Sequence, residues 1–185
     1  MIELETLRPE DLRPLKRSEY DRLVEAGCFE DERIELLAGM LIAKEPQGAY
    51  HADLITSLAK ELTLRIQDRG RVRVQSPLAL GDDSEPEPDI AIVPNSDYRR
   101  DHPSEALLVI EIAGSSANRD RTLKAAIYAL GDVREYWVVD LAGKFTDVFR
   151  SRESGRWTSV DRLSWTDLVS PIAFPDVVLR IADFS

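Results

Sequence analysis

Two runs near the middle of the chain, Asp89-Ile90-Ala91-Ile92-Val93 and Ala106-Leu107-Leu108-Val109-Ile110-Glu111-Ile112-Ala113, constrain the fold more than any other feature. Both are short and almost continuously apolar, so they read as central strands buried on both faces. Such strands need cover above and below, which points to helices packed on a sheet. The flanking sequence supplies it. Tyr20, Leu23 and Val24 are spaced for a short helix that Gly27 ends. Ile34-Glu35-Leu36-Leu37 and Met40-Leu41-Ile42 flank Ala38-Gly39 as in a tight antiparallel hairpin. From about His51 to Gln67, Leu54, Ile55, Leu58, Leu62 and Ile66 recur at helical spacing, and Gly70 closes the helix.

Val72 and Val74 alternate with Arg71, Arg73 and Gln75 as in a half-exposed strand, and Gly81 to Pro88 reads as a loop. After the second apolar run, the small residues Gly114-Ser115-Ser116-Ala117-Asn118 lead into a helix. Its apolar side is read as Leu123, Ala126, Ile127 and Leu130, with a stop at Gly131. Tyr136 to Val139 is a strand, and Asp140 to Lys144 turns into another at Phe145 to Phe149. Trp157 to Val160 and Val177 to Ile181 read as peripheral strands. This order defines an α/β domain with a mixed sheet flanked by helices.

Composition narrows the chemistry. The 185 residues carry 24 Lys and Arg against 34 Asp and Glu, a formal net charge of −10, which argues against broad attraction to nucleic acid but leaves room for a local basic groove. Two basic strips stand out: Lys60, Arg65, Arg69, Arg71 and Arg73, and then Lys144, Arg150, Arg152 and Arg156. A charge run of this kind is usually a solvated face. One cysteine, Cys28, excludes an internal disulfide and a multi-thiolate zinc site, and two histidines, His51 and His102, leave little for a His-based metal centre. Any metal would be held by oxygen. With no long apolar run and no apolar leader, the expectation is a cytoplasmic protein without membrane contact.

The informative oddity is Glu111, a carboxylate inside an apolar strand, which is costly unless a cation compensates it. Alternation puts Val109, Glu111 and Ala113 on one face of their strand, and Asp89, Ala91 and Val93 on one face of the other. If those faces align, two acids project into a space lined by small side chains, room for a hydrated divalent ion, and oxygen ligands suit Mg²⁺ or Mn²⁺. Lys124, four residues after Asp120, lies on the following helix and could aim its ammonium at the same place. Two acids, a divalent ion and a lysine suit phosphodiester hydrolysis.

Here the sequence resembles a known family. Pro88-Asp89, then Glu111-Ile112-Ala113, Lys124, Tyr128, Gly131 and the run Val133-Arg134-Glu135-Tyr136-Trp137-Val138-Val139-Asp140 are similar to a large bacterial restriction endonuclease family with a PD-(D/E)XK fold. Glu35-Leu36-Leu37-Ala38-Gly39 resembles that family's "E-L-x-x-G" hairpin, and His51 near the start of a long helix also matches, so the likeness spans roughly residues 15 to 185. Two departures stand out. Asp132 stands between Gly131 and Val133, where the family often has Gly-Val directly, and reads as a loop residue. The lysine expected two residues after Glu111 is replaced by Ala113, and Lys124 on the following helix is the position that matches.

The resemblance implies a single restriction-endonuclease-like domain over 1–185, with an N-terminal helix and hairpin to about 45, a catalytic core from about 46 to 150 and C-terminal strands from about 151. It implies Asp89 and Glu111 as ligands of Mg²⁺ (or Mn²⁺), aided by the backbone carbonyl of Ile112, with Lys124 near the attacked phosphate and Glu35 as a third carboxylate. DNA is then the implied partner, and a homodimer the implied assembly.

Each residue also has a plainer reading. Asp89 can be a turn residue after proline, Lys124 a surface partner of Asp120, and Glu35 the partner of Arg33 or Arg71. His51 reads as a helix-end or packing residue rather than a base, and Ser115 and Ser116 as loop-shaping or capping residues rather than nucleophiles. Tyr136 and Trp137 read as core, and Cys28 as an inert thiol. As functions, a catalytically silent nuclease-fold binding module and a small-phosphate-ester hydrolase stand beside the endonuclease.

Overall fold

A computed structural model describes residues 11–114 and 116–185. The start of the expected N-terminal segment (residues 1–10) and Ser115 lie outside the described residues. Helix α1 (Arg17–Glu25) precedes the hairpin β1 (Ile34–Leu37) and β2 (Met40–Ala43). Ala38 and Gly39 turn the hairpin with φ of 49° and 77°, the two positive angles a two-residue turn of matching twist requires. Gly39 is further constrained by crowding: a Cβ there would lie 2.3 Å from Pro14 Cβ.

Helix α2 (Ala49–Ile66) follows, then β3 (Arg71–Val74) and β4 (Ile90–Val93). The second apolar run divides into a two-residue strand, β5 (Glu105–Ala106), and the long β6 (Leu108–Ala113). The crossover from β6 to β8 (Tyr136–Asp140) is helical: α3 (Ala117–Arg119), a π-helical turn (Asp120–Lys124) and α4 (Ala125–Leu130), followed by β7 (Asp132–Val133). A long hairpin, β9 (Phe145–Glu153) and β10 (Arg156–Ser164), leads to the C-terminal segment.

The main sheet runs β10-β9-β8-β6-β4-β3 and is mixed: β6 and β8 are parallel and the other neighbours antiparallel. β4 from the first apolar run and β6 from the second lie inside it and are buried on both faces, as their composition requires. Ile90, Ile92, Leu108, Ile110 and Ile112 pack with α2, Trp137 and the C-terminal segment. Ala91, Val93, Val109 and Ala113 pack on the opposite face with Tyr136 and with Ala125, Ile127 and Tyr128 of α4.

Three local expectations are corrected. Ala126 and Leu130 are exposed, while Lys124, Ala125, Tyr128 and Ala129 are buried. The π turn adds a residue to one turn, so a stripe read at 3.6 residues per turn is rotated off the true contact face. Val177 to Ile181 is not a strand: only an isolated bridge joins Leu179 to Val169, and a 3₁₀ turn spans Ile181–Phe184. Val177, Leu179 and Ile181 pack into the core beside α2, so alternating burial arises here without a strand ladder. Asp132 lies in β7, paired in parallel with β5, rather than in a loop.

Candidate active site

Antiparallel pairing of β4 with β6 sets Ala91 opposite Val109 and Ile90 opposite Ile110. One step further, the same register brings Asp89 to Glu111, and the Asp89 N–H lies 3.4 Å from Glu111 Oε2. The two acids therefore lie side by side on adjacent strands.

Lys124 supplies the cation that a buried glutamate demands. Its Nζ lies 2.9 Å from Glu111 Oε1 and 3.0 Å from Glu35 Oε1, with all three side chains buried. The Tyr128 hydroxyl donates to Glu111 Oε1 at 2.8 Å, and the Glu87 N–H donates to Glu35 Oε2 at 3.1 Å. Glu35 is thus a partner of Lys124, not of Arg33 or Arg71. Lys124 is an interior group rather than half of a surface pair, and Asp120 instead accepts a 2.6 Å hydrogen bond from Ser116 Oγ. The hairpin, β6 and the π turn each contribute one member of this triad.

Asp89 is held differently. Its Oδ2 accepts the Ile112 N–H at 2.9 Å and lies 3.2 Å from His51 Nε2. Its Oδ1 receives Gln47 Nε2 at 3.2 Å and Gln75 Nε2 at 3.4 Å. Gln75 adopts a φ of 45°, a conformation uncommon for a residue with a side chain and frequent near functional centres. His51, read in the sequence as a helix-end or packing residue, therefore belongs to the site. Nothing in the spacing of Gln47 and Gln75 distinguishes them from surface residues, and Tyr128, part of the motif that carries the family resemblance, has no site role readable from the sequence.

These surroundings divide the two acids electrostatically. Burial pushes the Asp89 carboxyl up, but hydrogen bonds from His51 and the Ile112 amide outweigh it and leave it below the ordinary range. Burial dominates at Glu111, where neighbouring Asp89, Asp120 and Glu35 add to the upward push and Lys124 opposes it. Burial alone would lower Lys124, yet Glu111, Glu35 and Asp120 raise it, so the ammonium is strongly retained. A carboxylate that stays ionised next to one that holds its proton more readily is a common pattern at catalytic centres.

Glu35, Asp89, Glu111, Ile112 and Lys124 line a cleft of about 90 Å³ together with Lys44 and Arg119. Among the described residues no three His, Cys, Asp or Glu side chains converge so as to hold a metal ion. Asp89 and Glu111 nevertheless fit the requirement of Mg²⁺, which keeps several waters and binds through one or two carboxylates. A closed cage of protein ligands does not fit.

An α/β sheet with a parallel β6–β8 crossover, and acids at the start of β4 and near the end of β6 beside a helix-borne lysine, defines the restriction-endonuclease-like class. Residues 17–182 match the model of the Uma2 family, described as "Putative restriction endonuclease", and the chain belongs to that family. It is also similar to a crystal structure from Anabaena variabilis ATCC 29413, described as "a putative nuclease belonging to DUF820". The TM-score is 0.77 at 17% identity, with 92% of this chain and 97% of that chain covered. No curated protein matches the chain at a significant level. Among the described residues no helix is long and apolar enough to cross a membrane.

Proposed function

We propose that the protein is an Mg²⁺-dependent (or Mn²⁺-dependent) endonuclease that hydrolyses DNA phosphodiester bonds with an activated water. The observation that carries this reading is the Lys124 ammonium, fixed between Glu111 and Glu35 in the cleft that also contains Asp89. Asp89, Glu111 and the carbonyl of Ile112 would hold the ion, which when bound polarises a phosphoryl oxygen and lowers the pKa of a bound water. Lys124 opposes the negative charge that develops at the attacked phosphate, and its two carboxylate partners keep it in place. His51, Gln47 and Gln75 orient Asp89, and His51 with the Ile112 amide keeps it ionised. Arg119, which lines the same cleft and has no ion-pair partner among the described residues, presents a permanent charge to an incoming phosphate. Two copies acting as a homodimer would cut both strands of a duplex, and the cytoplasm is where such a substrate is met.

A second reading, a catalytically silent nuclease-fold binding module, has its own observation. Lys124 already bonds both buried glutamates, so these acids have a cation without a metal ion. Calorimetric titration of Mg²⁺ and Mn²⁺ into wild type and Glu111→Ala, followed by incubation with plasmid DNA, separates the two. Metal binding lost in the variant, with cleavage only by wild type, is the expected result. No metal binding by either protein favours the silent module, whereas metal binding without plasmid cleavage keeps the metal site and points to a small phosphate ester as substrate.

A further inference from the structure

The structure sorts the basic residues of the sequence into those already paired and those left without partners. Arg65 bonds Glu61 and the Val178 carbonyl, Arg69 bonds Asp176, Arg150 bonds Glu135 and Arg152 pairs with Asp132. Arg71 and Arg73 have no ion-pair partner among the described residues, in a chain with ten more acids than bases. The Arg73 Nε is buried and makes no hydrogen bond. Both guanidinium groups lie over the ring of Tyr98, at 5.7 and 5.8 Å from its centroid, and the Tyr98 hydroxyl is tied to the Pro94 carbonyl at 2.9 Å.

Their position in the sheet gives this pair a direction. β3 is an edge strand, with Arg71 opposite Val93 and Arg73 opposite Ala91 on β4. One step on, the Gln75 N–H bonds the Asp89 carbonyl at 3.1 Å, and the Gln75 side chain reaches Asp89 Oδ1. Cross-strand partners share a face, so Arg71 and Arg73 lie on the face that carries Ala91 and Val93, about 7 Å apart in a row that leads to the acid. Val72, between them, packs into the core on the opposite face. A row of arginines that form no ion pair among the described residues and lead to the candidate centre fits a polyanion.

We infer that the phosphodiester backbone of the substrate nucleic acid lies along the β3 edge, with Arg71 and Arg73 on its phosphates and Tyr98 positioning their guanidinium groups. The identity of the polyanion rests on the nuclease reading above. The test is fluorescence anisotropy of a labelled DNA duplex, without divalent metal, over a range of salt concentrations. It compares wild type, Arg71→Ala/Arg73→Ala, Arg71→Lys/Arg73→Lys and, as a control, Arg65→Ala, each checked for folding by circular dichroism. The double alanine variant should bind at least tenfold more weakly at low salt. Its slope of log K against log salt should be smaller by about 1.8, or about 1.4 on a single strand. The double lysine variant should keep the wild-type slope, and Arg65→Ala should match wild type.

Wild-type affinity and slope in the double alanine variant would overturn the inference, as would a lysine variant as weak as the alanine one, since a structural role would not follow charge. Failure of wild type to bind DNA also overturns it. Plasmid cleavage with Mg²⁺ decides the nuclease reading separately. A protein that binds along this edge and never cuts sinks the nuclease and leaves the track, whereas one that cuts while the double alanine variant binds normally sinks the track alone.

Discussion

Two glutamates of the main sheet region are equally hidden from water and serve different ends. Glu135, just before β8, is fully buried. Its Oε1 accepts Trp137 Nε1 and Arg150 Nε, both at 2.8 Å, and its Oε2 accepts the Ile172 N–H at 2.6 Å. These donors come from β8, β9 and the C-terminal segment, so Glu135 is a clamp that joins three parts of the chain. Glu111 shares its cation with Glu35, lies beside Asp89 and lines an open cleft. Burial of a carboxylate therefore does not by itself mark a site. The mark is several acids around one cation, with one side left open.

Glu85 is a third case and sharpens the contrast. It is buried, but Arg17 and His102 approach only to 3.8 and 3.9 Å, and its Oε2 has no hydrogen-bond partner. Burial, Asp21 and Glu87 push its carboxyl up to about 7, with Arg17 opposing. An incompletely paired acid destabilises the folded state when ionised.

The largest expected effect is on catalysis. Lys124→Met should lower plasmid cleavage by about 10²–10³-fold, the usual loss on removing a positioned charge-stabilising group. It should also cost about 3–5 kcal/mol in urea unfolding, because Glu111 and Glu35 lose their common cation. Glu135→Ala should cost a similar 3–5 kcal/mol by stranding Arg150 and the Trp137 N–H, while cleavage per folded molecule stays at the wild-type rate. A rate that falls as far as in Lys124→Met would erase the distinction between clamp and site.

Glu85 gives a smaller, pH-dependent effect. Its folded-state pKa is raised above the unfolded value, so between about pH 4.5 and 7 the folded state binds more protons than the unfolded one. Stability should therefore fall as pH rises through that window and level off above it. Thermal melts of Glu85→Gln should lose this part of the slope, and an unchanged slope would show that the proton sits elsewhere. The smallest effect belongs to Ala126, on the solvent side of the π-rotated crossover. Ala126→Lys should shift stability by no more than about 0.5 kcal/mol, and a loss of several kcal/mol would show that the helix phase is the regular one after all.

Much of the fold was legible because burial in a sheet writes itself into composition. The runs around Ile90 and Ile110, the Ala38-Gly39 turn and the stripe of α2 each follow from a local rule, and the observed elements agree with them. Those rules fail at Val177 to Ile181, where the core buries a segment without a ladder, and at the Ala126 face, where a π turn shifts the helix phase.

Of the candidate site, residue types and strand faces determined Asp89 and Glu111, since a carboxylate in an apolar strand must be compensated wherever the strand lies. That compensation comes from Lys124 rather than from a nearby arginine, Glu35 shares it, and His51, Gln47 and Gln75 hold Asp89. Those facts exist only in three dimensions. They depend on strand register and helix phase, which place groups as much as 89 residues apart within hydrogen-bond distance, and neither is written in the spacing of the residues that meet.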